Sequence, residues 1–498
     1  PGGAAHSSLA QAGLLIRFSR RAPLCYAPPY MPDTPALKRG IRFRDLALFY
    51  VVSGLSVRWT ATAAAAGPSI LIVWVAALTC FFVPLAASVM ELSSRHPEEG
   101  GLYVWSREAF GDFAGFISAW TYWMSNLPYF SGVLYFGAAS ALYAFGARGR
   151  ALAADPLYYL AFAVVWLAII TLLNIRGVDS GKWLNNVSSL GGLLPLAVLL
   201  ALACASYLRF GPATHFTTAA LTPHWTLGNA VFWSSVFFAF GGVEAGSAMG
   251  DEIQNPRRTI PLAILVGGSV LAIGYIGGTA ALLVALPSDA VGGPDGFVNG
   301  IHQLCAHLGI GWLLAPVALL VGLNAVGGAA AYLSSTSRLP FVAGIDRYLP
   351  EAFGWIHPRF RTPWVAIGVY GGAGMVVALL GQAGTTVRGA YDVLVSMGII
   401  SYFLPYVFLF AAMIRMQSRP AGPEVRRVPG GRPVAIALAS VGLSSTALTI
   451  VLSAFPAADE TNKPLAVLKV VGGTVVLVGA GIAVFLASRR RAKRLIAV

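Results

Sequence analysis

Apolar residues along this chain come in repeated runs of about twenty, separated by short stretches rich in Gly, Pro and Arg. At 1.5 Å of rise per residue, such a run crosses a hydrocarbon layer about 30 Å thick, so each one predicts a membrane-spanning helix. The runs are continuous and do not alternate apolar with polar over about ten residues, which sets aside a membrane β-barrel. They fall at about 46–67, 70–92, 113–145, 156–173, 186–208 and 229–250, then at about 260–286, 312–336, 363–380, 390–414, 434–455 and 465–487. The expectation is an all-α integral membrane protein of twelve transmembrane helices with both ends on one side of the bilayer. The longest polar interludes, about 287–311 and 337–362, are short enough to be loops carrying a surface helix each, so 45–488 reads as one transmembrane domain.

Composition agrees: 57% of the 498 residues are hydrophobic and 11% charged, against roughly 25% charged in an ordinary soluble protein. A net charge of +14 would suit a nucleic-acid partner, but the basic residues sit in short loops and not along a soluble face. With the amino end cytoplasmic, 27 of the 34 Lys and Arg residues fall on that side and six on the other, with Arg58 alone inside a span. This asymmetry is the signature of membrane topology. The expected partner is therefore a lipid bilayer and not nucleic acid, in the inner or plasma membrane, with both termini cytoplasmic. Residues 1–44 read as a cytoplasmic, disordered segment with Met31 as the native start, and 489–498 as a basic cytoplasmic tail.

Catalytic and metal chemistry find little to stand on. Four scattered cysteines form neither a disulfide frame nor a zinc spacing, and "HQLCAH" at 302–307 has no carboxylate cluster beside it, so it reads as polar surface. No Gly-rich phosphate loop, nucleophile elbow or zincin helix is present. We expect no enzyme, no cofactor and no metal.

The informative residues are the polar ones inside the spans. A charge at the bilayer centre costs about 2.5–3.5 kcal/mol on insertion scales, so each needs a partner, water or a function. Asp392 and Lys469 lie near span ends, where a side chain reaches the interface; Arg58 and Glu244 lie deep. Around them the first and sixth runs carry helix-weakening residues: Ser53, Gly54 and Ser56 in one, Gly241, Gly242 and Gly246 in the other. Such residues serve either close helix packing or a break in the helix. Breaks at corresponding positions of two five-helix halves point to a transporter site. Unwinding frees N–H and C=O groups that lipid cannot satisfy, so they face a wet cavity or a ligand.

Three stretches, "ELSSRHPEEGGLYVWSREAFG" (91–111), "FAFGGVEAGSAMGDEIQNPRRTIPLAI" (238–264) and "SSTSRLPFVAGIDRYLP" (334–350), resemble the amino acid/polyamine/organocation superfamily. The resemblance covers nearly the whole chain after about residue 40. It implies a leucine-transporter-like 5+5 inverted repeat (about 45–208 and 229–414) with broken helices one and six, followed by two extra helices (about 434–487). It implies secondary transport of a small-molecule amino acid or related amine by alternating access, as proton-coupled symport or exchange. The alternatives are a polyamine carrier of the same superfamily, or a non-transporting amino acid sensor, which would call for a cytoplasmic signalling domain.

The same resemblance assigns residues. Ser53, Gly54, Leu55 and Ser56 match the unwound segment whose N–H groups hold a substrate carboxylate, although the usual Gly-Ser-Gly is here Gly54, Leu55 and Ser56. Phe238 matches an aromatic cap, and Ala239 and Gly241 offer carbonyls to an amine. Asn126 and Tyr332 match substrate-facing positions of helices three and eight, and Tyr402 is nominated on helix ten. Glu244 matches an acidic position tied in some relatives to proton response, so Arg58 and Glu244 are the coupling or gating candidates. Gly192 stands where proton-coupled relatives often carry a lysine. The hydroxyls of Ser334, Ser335 and Thr336 either supply oxygens to sodium or bond within and between helices; a proton is the preferred co-transported ion.

Overall fold

The apolar runs fold as helices, because a helix satisfies its own backbone N–H and C=O groups where no water can. The computed structural model describes residues 36–293, 295–381, 387–456 and 462–496, with backbone only at 381, 387–399 and 492–496. Met31, the rest of the segment 1–35 and the Asp392 side chain lie outside the described residues.

In chain order the main helices are α1 (Phe43–Gly54), α2 (Arg58–Ala64), α3 (Ile70–Arg95), α4 (Leu102–Phe110), α5 (Asp112–Leu142), α6 (Pro156–Ile175) and α7 (Val178–Phe210). Then come α8 (Leu227–Ala239), α9 (Pro256–Ala285), α10 (Gly296–Leu308), α11 (Leu314–Thr336), α12 (Arg338–Ile345), α13 (Trp364–Gly381), α14 (Val387–Met416), α15 (Gly431–Ser453) and α16 (Lys463–Arg491). Among the described residues nine helical segments are long and apolar enough to cross a membrane, counting α1 and α2 as one. Shorter apolar helices lie at Leu227–Ala239, Trp364–Leu380 and Ile400–Met416. No β-strand occurs among the described residues; Ile41 and Ile253 form an isolated bridge.

Each expected apolar run coincides with a helix, and the two long polar interludes carry α10 and α12. One boundary moves. The run expected from 186 begins at Val178, because "VDSGKWLNN" is the polar first part of α7 and not a loop. Gly177, at φ 132°, starts the helix, and Asp179 pairs with Lys38 and with Lys182 at 2.8 Å. Asn186 donates to Asp45 of α1 at 2.9 Å.

At the centre α5 packs against α11 and α14, α7 against α11, and α1 against α9. Two of the apolar runs are interrupted. The first gives way at 55–57, between α1 and α2, and the sixth at 240–244, after which the backbone tightens into a 3₁₀ turn, Ala245–Glu252. The interruptions adjoin: a Cβ placed on Gly242 would stand 3.5 Å from the Ser53 carbonyl oxygen and 3.7 Å from the Gly54 Cα.

The bundle end that carries Phe43 is tied by buried charge. Arg338, at the start of α12, donates to both Glu252 oxygens at 2.8 and 3.0 Å and to the Ser334 carbonyl at 2.5 Å. Its Nε lies 3.9 Å from Glu99, whose other oxygen accepts the Asp251 N–H at 2.9 Å. The Gly100 N–H donates to Ala248 at 3.1 Å. These bonds join the loop after α3, the 3₁₀ turn and the end of α11.

Candidate functional site

The two breaks and α5, α11 and α14 enclose a small cavity lined by Ser53, Gly54, Ser56, Arg58, Asn126, Phe238, Ala239, Gly241, Tyr332 and Tyr402. Nine residues nominated from the sequence, together with Tyr402, thus converge on one place. Its free volume is about 30 Å³, room for one or two waters. The same wall also holds Trp59, Ser125, Tyr129 and Gly132.

At the first break the backbone is satisfied from α9. The Tyr275 hydroxyl donates to the Gly54 carbonyl and accepts the Ser56 N–H at 3.2 Å. Tyr275 is held by stacking on Trp74, 4.8 Å between ring centroids, and by the edge of Phe240. Leu55 N–H bonds the Val51 carbonyl at 2.8 Å. Among the described residues the buried Ser53 hydroxyl has no hydrogen-bond partner, so the break leaves that hydroxyl to be satisfied more than a fan of free N–H groups. Leu55 does not line the cavity; it points to α9, where its Cδ1 would stand 2.7 Å from a Cβ on Gly274. Gly54 is small for a packing reason as well, since a Cβ there would lie 2.3 Å from Leu271 Cδ2.

At the second break Gly242 adopts φ +116°, a left-handed conformation that a side chain rarely tolerates. A Cβ there would also strike the Tyr332 hydroxyl at 2.7 Å. Among the described residues no backbone N–H outside the helices bonds the Ala239 or Gly241 carbonyls. Phe238 packs edge-on against Trp59 (5.8 Å) and Tyr402 (5.0 Å), so it belongs to the aromatic wall and not to a lipid face. The Arg58 guanidinium lies 4.7 Å from the Trp59 ring centroid, a cation–π contact that helps hold a desolvated charge.

Glu244 stands behind the cavity wall instead of in it. Its Oε1 accepts the Tyr122 hydroxyl at 2.5 Å and the Tyr402 hydroxyl at 3.0 Å, and its Oε2 accepts the Gly242 N–H at 3.0 Å. Tyr402 is in turn 3.1 Å from the Tyr332 hydroxyl, so a hydroxyl chain runs from the cavity to the carboxylate.

Other nominated positions resolve into packing. A Cβ on Gly192 would meet Asn324 Nδ2 of α11 at 2.7 Å, so the space a longer side chain would need there is taken by an asparagine. Ser335 and Thr336 donate to the Tyr332 carbonyl within α11, and Ser334 contacts Met249 Sδ at 3.7 Å. Their hydroxyls bond within and between helices. Asn126 Nδ2 likewise donates to the Tyr122 carbonyl at 2.8 Å, leaving its amide oxygen for the cavity. Among the described residues no group of three His, Cys, Asp or Glu side chains could hold a metal ion.

The sequence reading missed Tyr122, Ser125, Tyr129 and Gly132, although their spacing of three and four along α5 marks one polar face. It also missed Tyr275, for which the sequence carries no signal: it is one aromatic among many in an apolar helix.

Comparison with known proteins adds the lineage. The family model described as amino acid permease matches residues 43–478. An uncharacterized transporter of Legionella pneumophila is 26% identical over 446 residues, 89% of this chain and 95% of the relative. A probable agmatine/putrescine antiporter of Lactococcus lactis is 24% identical, covering 80% and 84%. The serine/threonine exchanger SteT of Bacillus subtilis is 25% identical, covering 74% and 80%. With its family match running from α1 into the last helix, and its helical breaks meeting at a buried polar cavity, this chain belongs to the amino acid permease family of membrane transporters.

Proposed function

We propose that the protein moves an amino acid or a closely related amine across the cell membrane by alternating access, with the substrate held between the two breaks. The observation that carries this reading is the meeting of α1, α2 and the 240–244 segment at one cavity lined by Ser53, Ala239 and Gly241. In the fuller arrangement we propose, twelve spans cross the bilayer with both termini cytoplasmic, and the helices up to α7 and from α8 to α14 form inverted repeats. The substrate amine sits against the second break and its carboxylate near Ser53 and Ser56. A volume of about 30 Å³ is too small for an amino acid, so substrate binding requires the broken helices to part. Glu244 serves proton coupling through Tyr402, as a carboxyl that exchanges a proton out of contact with bulk water.

A second reading, a polyamine carrier, is favoured by Glu244, the acidic side chain closest behind the cavity, and by the amine named for the Lactococcus relative. Arg58 in the cavity wall opposes it, because a cation there repels a polycation.

Uptake into proteoliposomes loaded with a panel of amino acids and polyamines, under separate proton and sodium gradients, distinguishes the readings. The expected outcome is accumulation or exchange of an amino acid or monoamine, stimulated by a proton gradient. Polyamine flux alone would favour the second reading, and no flux under any condition would overturn both. Glu244→Gln keeps an acceptor for Tyr122 and Tyr402, so we expect it to retain exchange while losing stimulation by a proton gradient.

A further inference from the structure

A second cavity, about 570 Å³ in volume, lies toward the end of the bundle opposite Phe43. It is far larger than the space at the breaks and within the range of small-molecule sites. Its walls are the last turns of α5, the short helix Gly146–Leu152, the start of α6, the first turns of α10 and the beginning of α11.

The lining combines three kinds of chemistry. Tyr135, Tyr143 and Tyr159 supply aromatic surface; Tyr135 and Tyr159 meet edge to face at 6.1 Å, and Tyr143 meets His302 in the same way at 6.0 Å. Asp295 supplies a carboxylate whose Oδ2 accepts the Tyr143 hydroxyl at 2.6 Å, so the carboxylate is oriented, and among the described residues no hydrogen bond engages Oδ1. Arg150, on the short helix, supplies a cation to the same cavity and makes no ion pair among the described residues. Aromatic faces beside a carboxylate attract an ammonium group, and a guanidinium takes a carboxylate or phosphate.

We propose that this cavity is a second binding site, for a zwitterion carrying an ammonium and an anionic group. The ammonium lies between Asp295 and the tyrosine rings, and the anionic group faces Arg150. Two sources share that chemistry: a free amino acid, and the phosphoethanolamine headgroup of a lipid at the membrane surface. The site is distinct from the breaks yet linked to them. Ser125, Tyr129 and Gly132 line the first cavity, while Tyr135, Ala139 and Leu142 line the second. Steps of three and four residues place all six along one face of α5, the two sets about one turn apart. Occupancy of the outer site therefore bears on the helix that forms one wall of the inner one.

The test uses the full chain, purified in detergent with bound lipid removed, and thermal-shift titrations with O-phosphoethanolamine and with L-alanine. At least one probe is expected to stabilise the protein. Asp295→Asn and Arg150→Gln should each weaken that effect roughly tenfold or more, while Asn126→Leu, in the first cavity, should preserve it. Arg150 is exposed, so its variant reports on the site even if Asp295→Asn fails to fold. Native mass spectrometry from phosphatidylethanolamine and phosphatidylcholine nanodiscs separates the sources. Preferential retention of phosphatidylethanolamine, lost in Arg150→Gln, assigns the headgroup; saturation by L-alanine without lipid preference assigns the free amino acid. The proposal is overturned if neither probe nor lipid binds the wild type better than Arg150→Gln, or if Asn126→Leu abolishes all binding.

Discussion

Tyr275 shows how much of the binding region depends on one hydroxyl. It both donates to the Gly54 carbonyl and accepts from the Ser56 N–H, the two groups that the break of the first span exposes. Tyr275→Phe keeps the stack on Trp74 but leaves the Gly54 carbonyl and the part-buried Ser56 N–H with only their own bond at 3.1 Å, at a cost of about 1 kcal/mol. A lower unfolding temperature in detergent, with secondary structure retained, is the expected result; an unchanged temperature would mean that water replaces the hydroxyl. Gly54 makes the complementary point. A glycine in a transporter-like break invites a binding interpretation, yet Leu271 of α9 already occupies the space a side chain would need. Gly54→Ala should destabilise the fold by about 1–3 kcal/mol through overpacking, and Leu271→Ala should cost less when made in the Gly54→Ala background than in the wild type, because the two side chains compete for one space. If the two losses simply add, the constraint on Gly54 comes from the cavity side.

Between elements, the Arg338 cluster joins α12 to the 3₁₀ turn and to the loop after α3. One guanidinium serves two buried carboxylates, Glu252 and Glu99. Burial, and then the charge of Glu252, hold the Glu99 carboxyl well above the ordinary glutamate range, with Arg338 opposing them. A carboxyl whose affinity for a proton rises on folding binds more protons in the folded than in the unfolded state. Its contribution to stability therefore falls as pH climbs from the ordinary glutamate value of 4.5 toward the raised one. Thermal unfolding followed from pH 5 to 8 should show the wild type losing stability with rising pH and Glu99→Gln showing a flatter profile. Arg338→Met removes the one cation from the cluster and should cost about 3–5 kcal/mol, the usual penalty for an uncompensated buried charge. Alternating access requires such a junction to open, so a weakened cluster should also bias the bundle toward opening at the Phe43 end. Accessibility of a cysteine introduced at Ser334 to a membrane-impermeant maleimide measures that bias.

For the whole molecule, the central cavity is too small for a substrate, so transport needs the bundle to rearrange around the breaks. The hydroxyl chain from Tyr332 through Tyr402 to Glu244 crosses from α11 to α14 to the second break. In the function proposed above, this chain links the cavity wall to the carboxylate and to helices that must separate. Double variants test this: if Glu244→Gln and Tyr402→Phe act through one chain, their combined effect on proton-stimulated uptake should equal the larger single effect. Additive losses would place them in separate roles.

The sequence alone determined the helices, their approximate ends and the two interrupted spans, because apolar run length and helix-weakening residues are local properties of a chain that must satisfy its backbone in lipid. It also brought forward Ser53, Ser56, Phe238, Gly241 and Tyr332, whose identity is unusual in an apolar helix or matches a family motif. Only the tertiary structure decided that Leu55 packs on α9, that Glu244 lies behind Tyr402, and that Asn324 fills the space at Gly192. It alone decided that Tyr275 completes the broken backbone and that Asp295 and Arg150 share a cavity. Those outcomes depend on the rotation and depth of helices far apart in sequence. Hydropathy is indifferent to both, since turning an apolar helix about its axis changes every neighbour and no residue.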